Sequence, residues 1–162
     1  MSLRRMLIGR SPARTLLRAG VLAITLLGVS QFLLSPVRAV GISMMPTYVE
    51  GQFMLLNRLA FRYSTPQRGD IVAIGLAGGL AVLVKRVVGL PGERIRFVDG
   101  VLLVDDRPLD EPYVLHRIPW TVPEVTLAAD EYYVVGDNRS MAPHNHDFGV
   151  ARLQKMVGRV VR

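Results

Sequence analysis

Hydrophobic and polar positions along this chain fall into two regimes. Residues 19–37 form one uncharged run rich in Leu, Val, Ile and Ala. At 1.5 Å rise per residue, a helix of that length just crosses a hydrocarbon core of about 30 Å. Beyond it the apolar runs shrink to a few residues separated by turn formers, which is the pattern of strands. Residues 52–58, 70–74 and 81–88 read as strands, with Ser64, Pro66 and Gly69 in the turn-rich stretch between the first two. Residues 94–98 and 101–104 flank Asp99-Gly100, the strongest two-residue hairpin signature in the chain. Asp105-Asp106 turns the chain towards 107–109. Residues 126–127 and 132–135 lead to Gly136, 152–155 read as a single helical turn, and 156–161 close the sheet. Phe53, Met54, Leu55, Leu59 and Phe61 read as core, with some free to dip into a bilayer. The expectation is a mainly β fold: an open or partly closed antiparallel β-barrel-like domain over 38–162, behind one N-terminal transmembrane helix over 19–37 and a tail over 1–18.

Charge changes the picture only when divided along the chain. The net charge is +7. Residues 1–39 hold Arg4, Arg5, Arg10, Arg14, Arg18 and Arg38 and no acid, which is +6; the remainder holds 14 basic and 13 acidic side chains, which is +1. A nucleic-acid-binding domain carries its own basic face, so no nucleic-acid partner is expected. Five arginines before the apolar run and one after it predict the N-terminus in the cytoplasm and the domain outside. A cleaved secretory signal, cut after Ala39, is the alternative; the run is longer than the usual 7–15 residues of a signal core. Half of the residues are hydrophobic and mean hydropathy is +0.30, high for a soluble domain. Cysteine is absent, which excludes disulfides, thiolate metal sites and a cysteine nucleophile. Three histidines without zinc-hydrolase spacing give no metal expectation.

Candidate chemistry starts from the scarcity of lysine. Of 20 basic residues, 18 are arginine and two are Lys85 and Lys155. Arginine stays protonated, whereas a desolvated lysine loses its proton near neutral pH and serves as a general base. Lys85 stands in the apolar, β-rich stretch 80–89, which is able to bury its stem; Lys155 has polar neighbours and reads as a surface residue. A snorkelling or ion-paired strand lysine is the plain alternative for Lys85. Ser43, in Gly41-Ile42-Ser43-Met44-Met45-Pro46-Thr47 just beyond the apolar run, taken alone reads as a turn serine.

Four stretches in order resemble the conserved boxes of type I signal peptidases, membrane-anchored serine proteases with a Ser-Lys dyad. They are Ser43-Met44-Met45-Pro46-Thr47, Arg68-Gly69-Asp70-Ile71-Val72, Lys85-Arg86-Val87-Val88-Gly89-Leu90-Pro91-Gly92-Glu93 and Gly136-Asp137-Asn138-Arg139. Glu50-Gly51, Asp99-Gly100 and Glu111-Pro112-Tyr113 fit between them, and the likeness runs from Ala19 to the C-terminus. The resemblance implies that Ser43 attacks the scissile carbonyl and forms an acyl-enzyme, with its own backbone N–H as oxyanion donor. It implies that Lys85, dry and neutral, takes the serine proton and passes it to the leaving amine. Pro46, Gly69, Asp70, Arg86, Gly136, Asp137, Asn138 and Arg139 are the motif residues that shape the site.

Two departures stand out. Some relatives carry a hydroxyl two residues before the nucleophile, where this chain has Gly41. After Gly136-Asp137-Asn138-Arg139 the family runs to serine, aspartate and arginine; here those positions are Ala142, His144 and His146. Ser140 or Asn145 is then the candidate to orient Lys85, and Asp147 the candidate replacement acid. His144 and His146 lack the partner cluster of a metal site, so no metal and no cofactor are expected.

The expectation that the resemblance implies is an endopeptidase that removes signal peptides from exported preproteins at the outer face of the plasma (inner) membrane, close to a translocation channel. Val40, Ile42, Met44, Leu83 and Val84 are the expected walls for small side chains of an extended peptide paired along the strand to Lys85. The alternatives are a processing peptidase dedicated to one secreted or conjugative substrate, and a non-catalytic peptide-binding protein on the same scaffold. A self-cleaving regulator of the SOS-repressor type lacks support, because the chain is too short for a DNA-binding module beside the anchor.

Overall fold

The structure, a computed structural model, describes residues 12–75, 82–146 and 148–161. Most of the expected tail (residues 1–11), Ala81 of the third expected strand and Asp147 lie outside the described residues. Helix α1 (Pro12–Leu33) stops three residues short of Pro36. A proline ring disfavours helical backbone at the residue before it, here Ser35, so the chain becomes extended. Leu34–Arg38 is strand β1, lying antiparallel along β2 (Phe53–Asn57) with Pro36 opposite Leu55. The expected anchor over 19–37 is therefore corrected: its last four residues belong to the sheet. Among the described residues no helix is long and apolar enough to cross a membrane. Leu16, Leu17, Leu22, Ile24 and Leu27 of α1 are exposed.

The remaining strands are β3 (Ile71–Gly75), β4 (Val82–Gly89), β5 (Arg94–Val98), β6 (Val101–Val104), β7 (Arg107–Pro108), β8 (Val122–Thr126), β9 (Glu131–Val135), β10 (Gly149–Arg152) and β11 (Met156–Val161). Among the described residues, β1 to β11 make one seven-stranded antiparallel sheet, ordered β1-β2-β11-β3-β4-β9-β10, and one of four strands, ordered β7-β6-β5-β8. Both sheets are open, so the barrel is not closed. β1 is an edge strand, where the absent N–H of Pro36 is tolerated.

Strand alternation assigns side chains to separate cores. On β3, Ile71 and Ala73 join Met44, Tyr48, Met54 and Leu56 on one face, while Val72 joins Val87, Val134 and Met156 on the other. On β9, Tyr132 and Val134 belong to that second cluster, whereas Tyr133 and Val135 pack with Phe97, Leu102 and Trp120 against the smaller sheet. Each fully buried Val, Ile or Leu contributes roughly 1.5–3 kcal/mol. The large sheet is thus covered on both faces at its centre, and that is where Lys85 stands.

The hairpin at Asp99-Gly100 has φ of 50° and 81°, the two left-handed residues that its turn requires. Asp105 and Asp106, at φ 47° and 65°, repeat the device between β6 and β7. Strand β10, the short helix α2 (Ala60–Tyr63) and the start of β8 at Val122 are elements the sequence pattern did not indicate. Of the expected core set, Met54 and Ala60's neighbour Phe61 pack inside, but Phe53 is 75% and Leu55 48% exposed, because both point to the outer face of β2.

Candidate active site

Ser43 lies in the tight loop that follows β1. Gly41 there has φ +84°, in the left-handed region where glycine is at ease, and Tyr48 N–H bonds the Met44 carbonyl at 3.0 Å. The loop is fastened from across the molecule. Asn138 donates its backbone N–H to the Ser43 carbonyl at 3.0 Å and its Nδ2 to the Ile42 carbonyl at 3.1 Å. The Ser43 N–H makes no hydrogen bond to the described residues.

Lys85 projects from β4, opposite Val72 of β3, where the pairing of β9 with β4 gives out after Val135 opposite Arg86. It is 3% exposed, and its Nζ is hydrogen-bonded to Ser43 Oγ at 2.9 Å. The two groups therefore meet although 42 residues separate them. Burial penalises the ammonium form over the neutral amine.

The motif residues surround this pair as scaffold. Arg86 points to the opposite face from Lys85 and grips Asp137 in a two-pronged bond of 2.8 and 2.6 Å. The pair is almost wholly buried. Arg86 also donates to the Gly69 carbonyl at 2.9 Å and stacks 3.9 Å over the Tyr113 ring. Burial works to lower its pKa, but the hydrogen bonds and charge of Asp137 outweigh it and hold the guanidinium charged. Thr47 donates to Asp137 as well, tying the serine loop to the same carboxylate. Asp70 and Gly69 exchange backbone bonds with Val87, which fixes the entry to β3 against β4.

A second buried ion pair continues the scaffold. Arg139 bonds Glu111 through both terminal nitrogens and donates Nε to the Gly136 carbonyl at 2.8 Å. Tyr113 donates its hydroxyl to Glu111 at 3.0 Å. Burial, with the Glu111 charge added to it, pushes the Tyr113 phenol well above its ordinary range. Gly136 has no room for a side chain: a methyl group there would overlap the Ser43 carbonyl oxygen and meet the His146 ring at 2.6 Å. Glu111, Tyr113 and Thr47 had no individual role assigned from sequence. A strand-poor segment carrying an acid and an aromatic between two boxes that each hold one arginine was the available sign.

Other candidates fall elsewhere. Ser140 Oγ donates to Asn138 Oδ1 at 2.6 Å, and Asn145 is exposed in a 3-10 turn, Pro143–Asn145; neither is bonded to Lys85. Both thus differ from the expectation that one of them orients the lysine. His144 is exposed, while His146 is 5% exposed, edge-on to Trp120 at 5.2 Å and to Phe148 at 5.9 Å. Among the described residues no group of three or more histidines and acids is placed to hold a metal ion. A cleft of about 490 Å³ opens at Ser43, lined by Val40, Met44, Leu83 and Val84 together with Val37, Arg38, Ala39, Tyr48, Met54 and Val82. Ile42 does not line it and is 45% exposed.

An open antiparallel scaffold that brings one serine and one buried lysine into contact beside an apolar cleft defines a hydrolase of the serine type. The family described as signal peptidase, peptidase S26, matches residues 13–162, and the chain belongs to it. Signal peptidase I V of Bacillus subtilis is 33% identical over 155 residues, covering 86% of this chain and 92% of that protein. Signal peptidase I of Leptolyngbya laminosa is 27% identical over 150 residues, covering 88% and 74%. The crystal structure of a signal peptidase I from Enterococcus faecalis aligns at 25% identity with a TM-score of 0.49, over 60% of this chain and 98% of that one. The protein is a peptidase.

Proposed function

We propose that this chain is an endopeptidase that cuts signal peptides from exported preproteins through Ser43 and Lys85. One observation carries the proposal: an amine 3% exposed and 2.9 Å from a serine hydroxyl that borders an open apolar cleft. Neutral Nζ takes the proton of Ser43 Oγ as the oxygen bonds the scissile carbonyl carbon. The Ser43 N–H, uncommitted to the described residues, is the donor for the developing oxyanion. The C–N bond then breaks, the leaving amine takes the proton from Nζ, and a water activated by the same amine releases the acyl group. An extended peptide pairs with the N-terminal half of β4, whose edge is vacated where β9 ends. Its side chains enter the cleft between Val84, Leu83 and Met44. No cofactor takes part in this scheme.

Attachment to lipid runs through α1, whose exposed leucines and isoleucine need an apolar surround. Carbonate extraction of membranes is expected to leave the protein in the pellet; recovery in the soluble fraction would overturn this part. The proposal as a whole is tested by cleavage of a preprotein with the wild type, Ser43→Ala, Lys85→Ala and Lys85→Arg. All three variants are expected to lose activity, since arginine does not deprotonate in the working range. Turnover by Lys85→Arg near that of the wild type would refute the general base, and an inert wild type that still binds the peptide would turn the reading to a binding protein.

A further inference from the structure

A second cleft adjoins the dyad at Lys85 and shares Leu83 with the first. It holds about 430 Å³ between the N-terminal half of β4 and the chain that runs from Phe148 to Lys155. Leu83 borders both clefts, but Ser43 lines the first and Lys85 the second. The walls of the second are apolar, with Ile74, Val134 and Phe148 among them. Both lysines of the chain, Lys85 and Lys155, line this cleft.

Chemistry divides a peptide substrate between the two clefts. The acyl part becomes bonded to Ser43 Oγ, whereas the amine that leaves must take its proton from Lys85 Nζ. The departing segment therefore lies on the lysine side. We propose that the second cleft receives the residues that follow the scissile bond, and that Lys155, aided by Arg152, selects a carboxylate about three residues beyond it. This rests on the peptidase reading above and adds a substrate preference to it.

Distance and charge support the assignment. Lys155 immediately precedes Met156, which pairs with Ile74, which in turn pairs with Leu83 of β4. Two strand spacings put it about 10 Å from β4, a span that an extended chain covers in about three residues. Lys155 is exposed and forms no ion pair with a described residue. Arg152 is 59% exposed on its side chain and faces Glu131 at 3.6 Å, an ion pair that leaves much of its field open to a ligand. An apolar floor with cations at the rim suits a segment with small or apolar residues first and an acid after them.

The test uses the full chain in detergent with Ser43→Ala, so that binding is read without turnover. Three labelled peptides share all residues up to and just past the bond and carry Asp, Ala or Lys at the third position after it. Fluorescence anisotropy is expected to rank them Asp, Ala, Lys, with about threefold to fivefold between neighbours, the size of an exposed charge pair. Adding Lys155→Glu is expected to reverse the order, and 0.5 M salt to compress it. Equal affinities, or an order unchanged by Lys155→Glu, would overturn the proposal. A wild type that cleaves the three peptides while their affinities for the Ser43→Ala chain are equal overturns this proposal alone; a wild type that cleaves none of them overturns the peptidase reading and this proposal with it.

Discussion

Replacing Glu111 by glutamine tests whether the buried ion pairs hold the site together. The Glu111 carboxylate is fully covered, and it is the counter-charge for an Arg139 side chain only 2% exposed. The Glu111→Gln change would keep one oxygen for the guanidinium but remove the charge. Breaking a buried pair from one side costs about 3–5 kcal/mol, because the surviving ion stays dry and uncompensated. The remaining amide oxygen, and the Gly136 carbonyl that Arg139 Nε already bonds, put the expectation at the low end, about 3 kcal/mol. For a chain of this length that is a fall in Tm of roughly 10 °C.

The assay is thermal unfolding followed by the fluorescence of Trp120, the single tryptophan, whose Nε1 bonds the Met141 carbonyl two residues beyond Arg139. A double-mutant cycle isolates the pair: Glu111→Leu, Arg139→Met and both together. Removing both charges leaves no fully buried ion without a partner, since Arg117, which also faces Glu111 at 3.6 Å, is one-third exposed; the double variant is therefore expected to be more stable than the sum of the singles by at least about 2 kcal/mol. A Glu111→Gln melt within about 2 °C of the wild type, or strictly additive singles, would refute the claim that this pair carries the turn at 136–139.

Three further outcomes follow from the same geometry. Gly136→Ala pushes the Ser43 carbonyl aside by the order of 1 Å, and a displacement of that size at a reacting group lowers kcat about 100-fold; kcat/KM within threefold of the wild type would contradict it. Phe53→Ser changes a side chain that is 75% exposed, so its effect on unfolding is expected to stay within about 0.5 kcal/mol, and a large drop in Tm would mean that the outer face of β2 is covered. If Lys85 acts as base, kcat/KM rises with pH as the ammonium gives up its proton and falls away on the acid side; a flat profile through the neutral range would count against it.

Strands were legible where alternation is regular and turns carry their own chemistry. β4, β5, β6 and β11 were indicated to within a residue or two, and Asp99-Gly100 and Asp105-Asp106 marked their turns because paired left-handed residues demand those side chains. β1 was hidden because its apolar residues continue the apolar run of α1, and hydrophobicity alone does not separate a buried strand from a helix. Pro36 was the available clue, since it disfavours helical backbone at Ser35. β10 offers two apolar residues beside a glycine, too little for a period to show. Within the site, Lys85 was singled out because arginine replaces lysine almost everywhere else, and Ser43 by its motif. The ion-pair partners were not legible, because pairing between Glu111 and Arg139 spans 28 residues and leaves no local trace.

The arrangement explains why so much charged sequence surrounds a reaction assigned to two side chains. Ser43 stands on a loop, and a loop does not hold an oxygen to within a few tenths of an ångström by itself. Here its carbonyl is fixed by Asn138, Asn138 rides on a turn whose Asp137 and Arg139 are each locked in a buried ion pair, and Arg86 follows Lys85 directly on β4. Ser43 and Lys85 are therefore positioned by one continuous set of contacts running through Thr47, Asp137 and Arg86. Packing alone would hold the loop less well, since apolar contacts have no direction and hydrogen bonds do. On this argument Arg86 and Asp137 restrict the distance between Oγ and Nζ, and Asp137→Asn is expected to lower kcat more than it raises KM. A variant that altered KM alone would place these residues in peptide binding instead.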